Sequence, residues 1–282
     1  MTNQTLRNDG AQATLFRNAP PWEGRKTAAI GAFRCDDAQA GSSLLNDAAD
    51  LLRAEGYQAM IGPMDGDTWH SYRLITETDD SPPFLMEPKS APHDLDAFQK
   101  AGFEEISSYF SARGAVAGAI GTPPPHDDAI EIRQWDGTNP EACFADVHSL
   151  STKAFANNLF YAPISLESFL AMYMPFVPML KPELILMARD TQSGALLGFL
   201  FGIPNYQEGL TPSSVILKTY ASLRAGVGHH LSHVFHQNAQ TMGYEHVIHA
   251  LIHDSNQSAD RSRKHGAQVF RRYALLGRVL NA

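Results

Sequence analysis

Two stretches of this chain share one pattern at a fixed distance. Gly41, Leu44, Gly56 and Tyr57 recur without a gap as Gly228, Leu231, Gly243 and Tyr244, a constant offset of 187 residues. Further along, Gly102 precedes Tyr109 by seven residues, and Gly266 precedes Tyr273 by the same seven. One glycine match means little, because glycine commonly ends helices. Six positions in register define a repeated unit, strand–helix–strand–helix–strand. That restricts the chain to an α/β architecture made of two copies, of which only the second is preceded by a complete N-terminal half.

The rest of the pattern fits this division. TAAIGAFRC (27–35) predicts a strand and AGSSLLNDAADLLRAEG (40–56) a helix closed by glycine. YQAMIGPM predicts a short strand, GDTWHSYRL a turn entering a helix, DLDAFQKAGF a helix and EISSYFSARG a strand. GTPPPHDD (121–128) reads as a linker, since three consecutive prolines favour a stiff extended segment. We therefore expect a half-domain over 1–125 and a complete domain over 126–282. The second begins with a strand, AIEIRQWD, and a capped helix, NPEACFADVHSLSTKAFANN. A second helical region around SLESFLAMYM follows, then two strands within ELILMARDTQSGALLGFLFGIP, joined at QSG, and the strand VILKTYASL.

Composition bounds the function. The 282 residues suffice for a sizeable core, and 44% hydrophobic with 18% charged is an ordinary globular balance. A net charge of −8 argues against a nucleic-acid partner bound by neutralising phosphates. Two distant cysteines suggest a reducing compartment rather than a disulfide framework. The polar start, MTNQTLRNDG, does not resemble a signal peptide. The most apolar stretch, 159–180, is broken by three prolines and a glutamate, so it predicts a buried helix and lid rather than a membrane span. The expectation is a cytoplasmic protein, monomer or homodimer, without membrane or nucleic-acid partners.

Chemistry concentrates where VILKTYAS runs into LRAGVGHHL. Gly226 and Gly228 have no side chain, so a bulky anion can approach the main chain, and the first-turn N–H groups of the helix point at it. A tight turn alone would also explain G-x-G. The element order around it, with VILKTYASLRAGVGHHL (215–231) and VIHALIHDSNQSADRSRKHGA (247–267), resembles the GNAT superfamily of acyl-CoA-dependent N-acetyltransferases. The resemblance covers about 129–282 as a whole domain, and the first copy matches only the C-terminal half of that fold. It implies a GNAT-like mixed twisted sheet flanked by helices.

Several expectations follow from the resemblance. The family turn Gln/Arg-x-x-Gly-x-Gly/Ala reads here Leu223, Arg224, Ala225, Gly226, Val227, Gly228, with the basic residue displaced by one. Thr219, Tyr220, Ala221, Arg224, Ala225, Gly226, Val227, Gly228, His229 and Asn256 would then bind acetyl-CoA, the acyl donor. Asn256 and Ala259 fit the family's Asn-x-x-Ala helix start, and Gly266 its later glycine. Where many members carry a tyrosine that protonates the leaving thiolate, this chain has RSRKHG around Ser262, and Ala267 replaces the usual phenylalanine. Tyr220, Ser262 and Tyr273 are the catalytic candidates, with His229 a further one by position. The implied reaction is direct attack of an amine on the thioester, the acceptor being a small molecule or peptide. An acidic protein suits a cationic amine. The first copy's turn reads DDAQAGSS, and Asp36 and Asp37 would repel a pyrophosphate there.

Two other features carry weight. Trp69, His70, Tyr72 and Arg73 cluster beyond a strand end, with Glu87 nearby in FLMEP. They either pack the sheet, with Arg73 paired to Glu87, or wall an acceptor pocket between the copies. His229, His233 and His236 share a helical spacing, and His246, His249 and His253 decorate a strand. His246 and His249 point to opposite faces, and without HExxH these read as surface and helix-edge residues rather than a metal site. The alternatives to a transferase are a catalytically silent GNAT-like module binding CoA or a metabolite, and a histidine–metal hydrolase.

Overall fold

A computed structural model describes residues 3–256, 262 and 266–280. An N-terminal hairpin, β1 (Gln4–Asn8) and β2 (Ala11–Phe16), turns at Gly10 with φ +88°. The sequence reading passed over it because the run is polar, although Asn-Asp-Gly is a hairpin signal. Then come β3 (Thr27–Cys35), α1 (Ala38–Ala54), β4 (Ala59–Gly62), β5 (Leu74–Thr78), α2 (Asp94–Lys100), β6 (Glu104–Ala115) and the short α3 (Val116–Ala119). After the extended linker follow β7 (Ile130–Gln134), α4 (Pro140–Ala154), α5 (Leu166–Tyr173), β8 (Ile185–Asp190) and β9 (Leu196–Pro204). β10 (Ser214–Ser222), α6 (Val227–Thr241), β11 (His246–His253) and β12 (Gln268–Val279) complete the described chain. The segment after Gly66 is not the helix expected. It is a series of bends, because Asp67 accepts the Trp69 N–H at 2.9 Å and Met64 bridges to Tyr72.

One mixed sheet of twelve strands carries the molecule, in the order β1-β2-β3-β4-β12-β6-β11-β10-β9-β8-β7, with β5 also paired to β12. Among the described strands, only β3–β4 and β10–β11 run parallel. Each of these pairs is joined by a helix, α1 or α6, as parallel crossovers require. β12 lies against β4 and β6 lies against β11, so the last strand of each half sits in the territory of the other. The sheet runs without interruption through both sides of the 121–128 linker.

Strand alternation splits the core into layers. On β8, Leu186 and Ala188 pack toward α6 with Leu231 and Phe235, while Ile185 and Met187 pack toward α4 and α5 with Phe144 and Phe169. α1 buries Leu44, Leu45, Ala48, Ala49 and Leu52 over the other half of the sheet with Phe98 and Met60.

The seat of α6 depends on Gly198 in β9. A Cβ there would lie 2.8 Å from the Ala221 carbonyl oxygen and 2.9 Å from Val227 Cγ1. The first is main chain and cannot swing aside. Gly198→Ala should therefore push the first turn of α6 off the sheet and cost about 1–3 kcal/mol in a denaturant melt.

Candidate functional site

Parallel strands β10 and β11 part company partway along. They pair from Ser214–His246 to Leu217–His249 and then no further, although β10 runs on to Ser222 and β11 to His253. Two irregularities open them. β10 bulges between Leu217 and Thr219 against β9, and β11 shifts register between His249 and Ile252 against β6. Within that second shift Leu251 adopts φ +55°, a left-handed conformation costly for a leucine and therefore held by its surroundings. The Leu251 N–H donates to Ser111 Oγ at 3.0 Å. The parting begins after Leu217, three residues before Tyr220. From Lys218 to Ser222, the edge of β10 facing β11 has no ladder partner among the described residues.

Two cavities occupy this opening. The smaller, about 140 Å³, lies in the split itself, lined by Leu217, Thr219, Tyr220, Ser232, His249 and Ser262 among others. The larger, about 770 Å³, lies beyond it, walled by Trp69, Phe144, Phe169, Phe199 and Tyr161 with a polar fringe. Phe155, Lys218, Thr219, Ala250, Leu251 and Asn256 line both. All five residues of the expected acceptor patch, Trp69, His70, Tyr72, Arg73 and Glu87, line the larger cavity.

At the head of the split, α6 begins at Gly226, which has φ +87° and supplies no side-chain cap. Its first turn contains no acidic residue. The equivalent start of α1 is closed from within: Asp37 Oδ1 accepts from the Gln39 and Ala40 N–H groups, both at 2.8 Å. Those contacts hold the Asp37 carboxyl below its ordinary value. The strand crevice beside α1 is likewise filled. Met64 N donates to the Ile30 carbonyl at 2.9 Å, and Ala32 N donates to Asp65 Oδ1 at 2.6 Å. A Cβ on Gly31 would collide with the Met64 main chain.

The other expected cofactor residues divide. Thr219, Tyr220 and Asn256 lie on the cavity walls, and Ala225, Gly226, Val227, Gly228 and His229 form the turn and first helical residues. Arg224 is committed elsewhere, donating to Asp127 Oδ2 of the linker at 2.7 Å. Ala221 is buried against α4 and α5 rather than facing the cavities. Ala259 lies outside the described residues.

Of the catalytic candidates, Tyr220 and Ser262 line the smaller cavity and Tyr273 lines neither. Tyr273 is 1% exposed and donates to Glu87, with Ser111 Oγ 3.1 Å away. Burial, followed by the Glu87 charge, pushes its phenol well above the usual range. Glu87 is the hub of a buried network: its Oε2 takes an ion pair from Arg271 at 2.6 Å and the Phe84 N–H at 3.1 Å. The expected alternative partner, Arg73, is therefore not the one Glu87 binds.

The histidines correct the sequence reading. His236 is 0% exposed and His249 only 5%, and His233 is also buried, its Nδ1–H donating to the Ile120 carbonyl at 2.9 Å. His246 is exposed, so the opposite facing of His246 and His249 is as expected. A continuous polar chain runs from Ser232 Oγ to His236 Nδ1 (3.4 Å), His236 Nε2 to His249 Nε2 (3.2 Å), and His249 Nδ1 to Ser262 Oγ (2.9 Å). Both terminal serines line the smaller cavity. Spacing along one helix shows only the Ser232–His236 step, because the His236–His249 and His249–Ser262 contacts join different elements. Among the described residues, the group able to converge on a metal is Cys35, His93 and Asp94, not these histidines. Burial first, then Asp94, pushes the Cys35 thiol up to about 12, so without a metal ion it is protonated.

Lys218 escaped the sequence reading altogether. It stands at the β10 bulge and lines both cavities, and burial, with the nearby Arg73 charge, pushes its ammonium down to about 8. A lone lysine inside the apolar run VILKTYAS was the available signal.

No family model matches the chain, and no curated protein matches it in sequence. Its likeness is to solved structures. A GCN5-related N-acetyltransferase from Sphaerobacter thermophilus superposes with a TM-score of 0.58 at 15% identity, over 97% of this chain and 78% of that one. A tandem GNAT protein from the clavulanic acid biosynthesis pathway gives 0.57 at 13% identity, over 97% and 80%. A GCN5-related N-acetyltransferase from Anabaena variabilis gives 0.56 at 10% identity, over 96% and 60%. This chain shares its fold with these solved structures, and no helix among the described residues is long and apolar enough to cross a membrane.

Proposed function

We propose that the protein is an acyl-CoA-dependent N-acetyltransferase that uses the β10–β11 opening. The observation that carries this is the coincidence of a split strand pair with an uncapped α6 N-terminus at its head. The amides from Gly226 to Gly228, aided by the helix dipole, suit a pyrophosphate, and the unpaired edge of β10 suits an amide-bearing pantetheine arm. The acceptor occupies the larger cavity. Its amine attacks the thioester carbonyl, a C–N bond forms, the C–S bond breaks, and the proton lost by nitrogen balances the departing thiolate. A main-chain N–H at the split stabilises the oxyanion.

Ser262 is placed to pass a proton to the thiolate, with His249 and His236 behind it as a reserve. Tyr273 is excluded from that role by its burial against Glu87. The first half is a degenerate copy whose own site is filled by Asp37, Met64 and Asp65, which supports donor binding in the second half alone.

Calorimetric titration with acetyl-CoA tests the reading. Micromolar binding is expected, lost by at least tenfold in Gly228→Asp, whose carboxylate would face the pyrophosphate. An acidic residue in a first helical turn is otherwise favourable, and because Gly228 is buried, an unchanged thermal melt is the control that the fold is kept. No binding by the wild-type protein sinks the proposal. Binding without turnover of any amine would favour a silent CoA-binding module instead.

A further inference from the structure

Among the described residues, the larger cavity contains two cations and no free anion. Arg73 is 6% exposed, and its Nε is a buried donor without a partner. Its guanidinium lies 3.8 Å from the Tyr72 ring centroid and 3.9 Å from that of Tyr109, and NH1 reaches the Leu251 carbonyl at 3.3 Å. Arginine cannot shed its proton to relieve burial, so an unpaired guanidinium nitrogen there is a standing cost. Lys218 adds a second positive group, close enough to Arg73 to feel its charge, and it makes no hydrogen bond or ion pair among the described residues. The acidic groups nearby are already committed. Glu87 is held by Arg271 and Tyr273, and Asp67 pairs with His70 at 2.8 Å. A low-dielectric wall with unpaired positive charge repels a cationic amine and selects an anion.

We propose that the acceptor is an apolar α-amino acid whose carboxylate is held by Arg73 and Lys218, an assignment that rests on the transferase reading above. The planar guanidinium matches a carboxylate, and the ammonium supplies a second point charge. Lys218 and Leu251 line both cavities, so a carboxylate held between Arg73 and Lys218 lies beside the split where the thioester carbonyl must sit. An amine one carbon away from that carboxylate reaches the carbonyl, and a more distant amine would be carried past it. The side chain then rests among Trp69, Phe169 and Phe199. The net charge of the whole protein is thus a poor guide to the acceptor, because local charge inside the cavity has the opposite sign.

The test uses reaction-product mimics that need no turnover. N-acetyl-L-leucine and N-acetyl-L-phenylalanine are titrated against their decarboxylated counterparts, N-isoamylacetamide and N-phenethylacetamide, with and without CoA. The carboxylated pair should bind at least tenfold more tightly. Arg73→Gln and Lys218→Met should each erase that preference, and Arg73→Gln, which lies off the β10 edge, should do so with CoA affinity within twofold of wild type. Equal binding by the two series, or binding by neither, overturns the proposal. A preference for malonyl-CoA over acetyl-CoA that disappears in Arg73→Gln also overturns it, by placing the carboxylate on the donor. Failure of CoA to bind, with carboxylate selectivity intact in its absence, would sink the transferase reading and leave the anion pocket standing.

Discussion

Glu87→Gln should lower stability by about 3–5 kcal/mol, the usual cost of leaving one member of a buried ion pair uncompensated. The side chains of Glu87 and Arg271 are 1% and 4% exposed, so water cannot take over the lost partner. Arg271 would keep Thr78 Oγ1 at 3.2 Å and the Ser81 carbonyl, which accept hydrogen bonds but do not neutralise its charge. Tyr273 would lose its carboxylate acceptor at the same time. The network ties the 79–93 segment to β12 at the centre of the sheet, so the loss should appear as a cooperative drop in melting temperature on the order of 10 °C. The double variant Glu87→Gln/Arg271→Met should recover part of it, since removing both charges also removes the stranded one. A single-variant loss under about 1 kcal/mol would show that the pair is better hydrated than its burial implies.

Lys218→Met should have the opposite sign. The folded chain holds this ammonium down at about 8, from an ordinary 10.5, by burial and by the neighbouring Arg73. Between those two pH values the unfolded chain binds a proton that the folded chain gives up, so the wild-type protein gains stability from this group as pH rises from 8 to 10.5. Below pH 8 the full penalty of burying the charge is present. The depression corresponds to about 3 kcal/mol, and solvent reaching Lys218 through the cavity reduces that to about 1–3 kcal/mol. The methionine variant should therefore be more stable than wild type at pH 7, with the difference shrinking above pH 8 and nearly gone by pH 10.5. Comparing the two proteins at each pH cancels the other tyrosines and lysines that titrate there. A protein that keeps a destabilising charge at its cavity wall fits the pattern in which function costs stability.

How much of this could be read from the residues differs by feature. Strand β3 falls on the residues that TAAIGAFRC marks, and Gly226 opens α6 as the glycine pattern requires, because both signals are local. The acceptor patch was legible as a cluster, and all five of its residues line one cavity. The partners were not. Glu87 turns to Arg271, which is 184 residues away, and Arg73 is left to two tyrosine rings. The relay from Ser232 to Ser262 likewise draws on α6, β11 and a third segment, and no helical spacing encodes it. Lys218 interrupts a strand run without any periodic signature, and its meaning lies in the bulge that only the β9 register reveals.

The exchange of β6 and β12 between the halves has a bearing on when the chain can fold. β12 is the last described strand to be synthesised, yet β4, β5 and β6 all pair with it. A nascent chain ending anywhere before Gln268 holds these three early strands with exposed edges, which are templates for misassociation. The contacts that close the first half are therefore among the longest in sequence separation, and such pairings form slowly. Refolding should be governed by the arrival of β12. Cleavage within 121–128, after folding, would leave two fragments still clasped through interleaved strands.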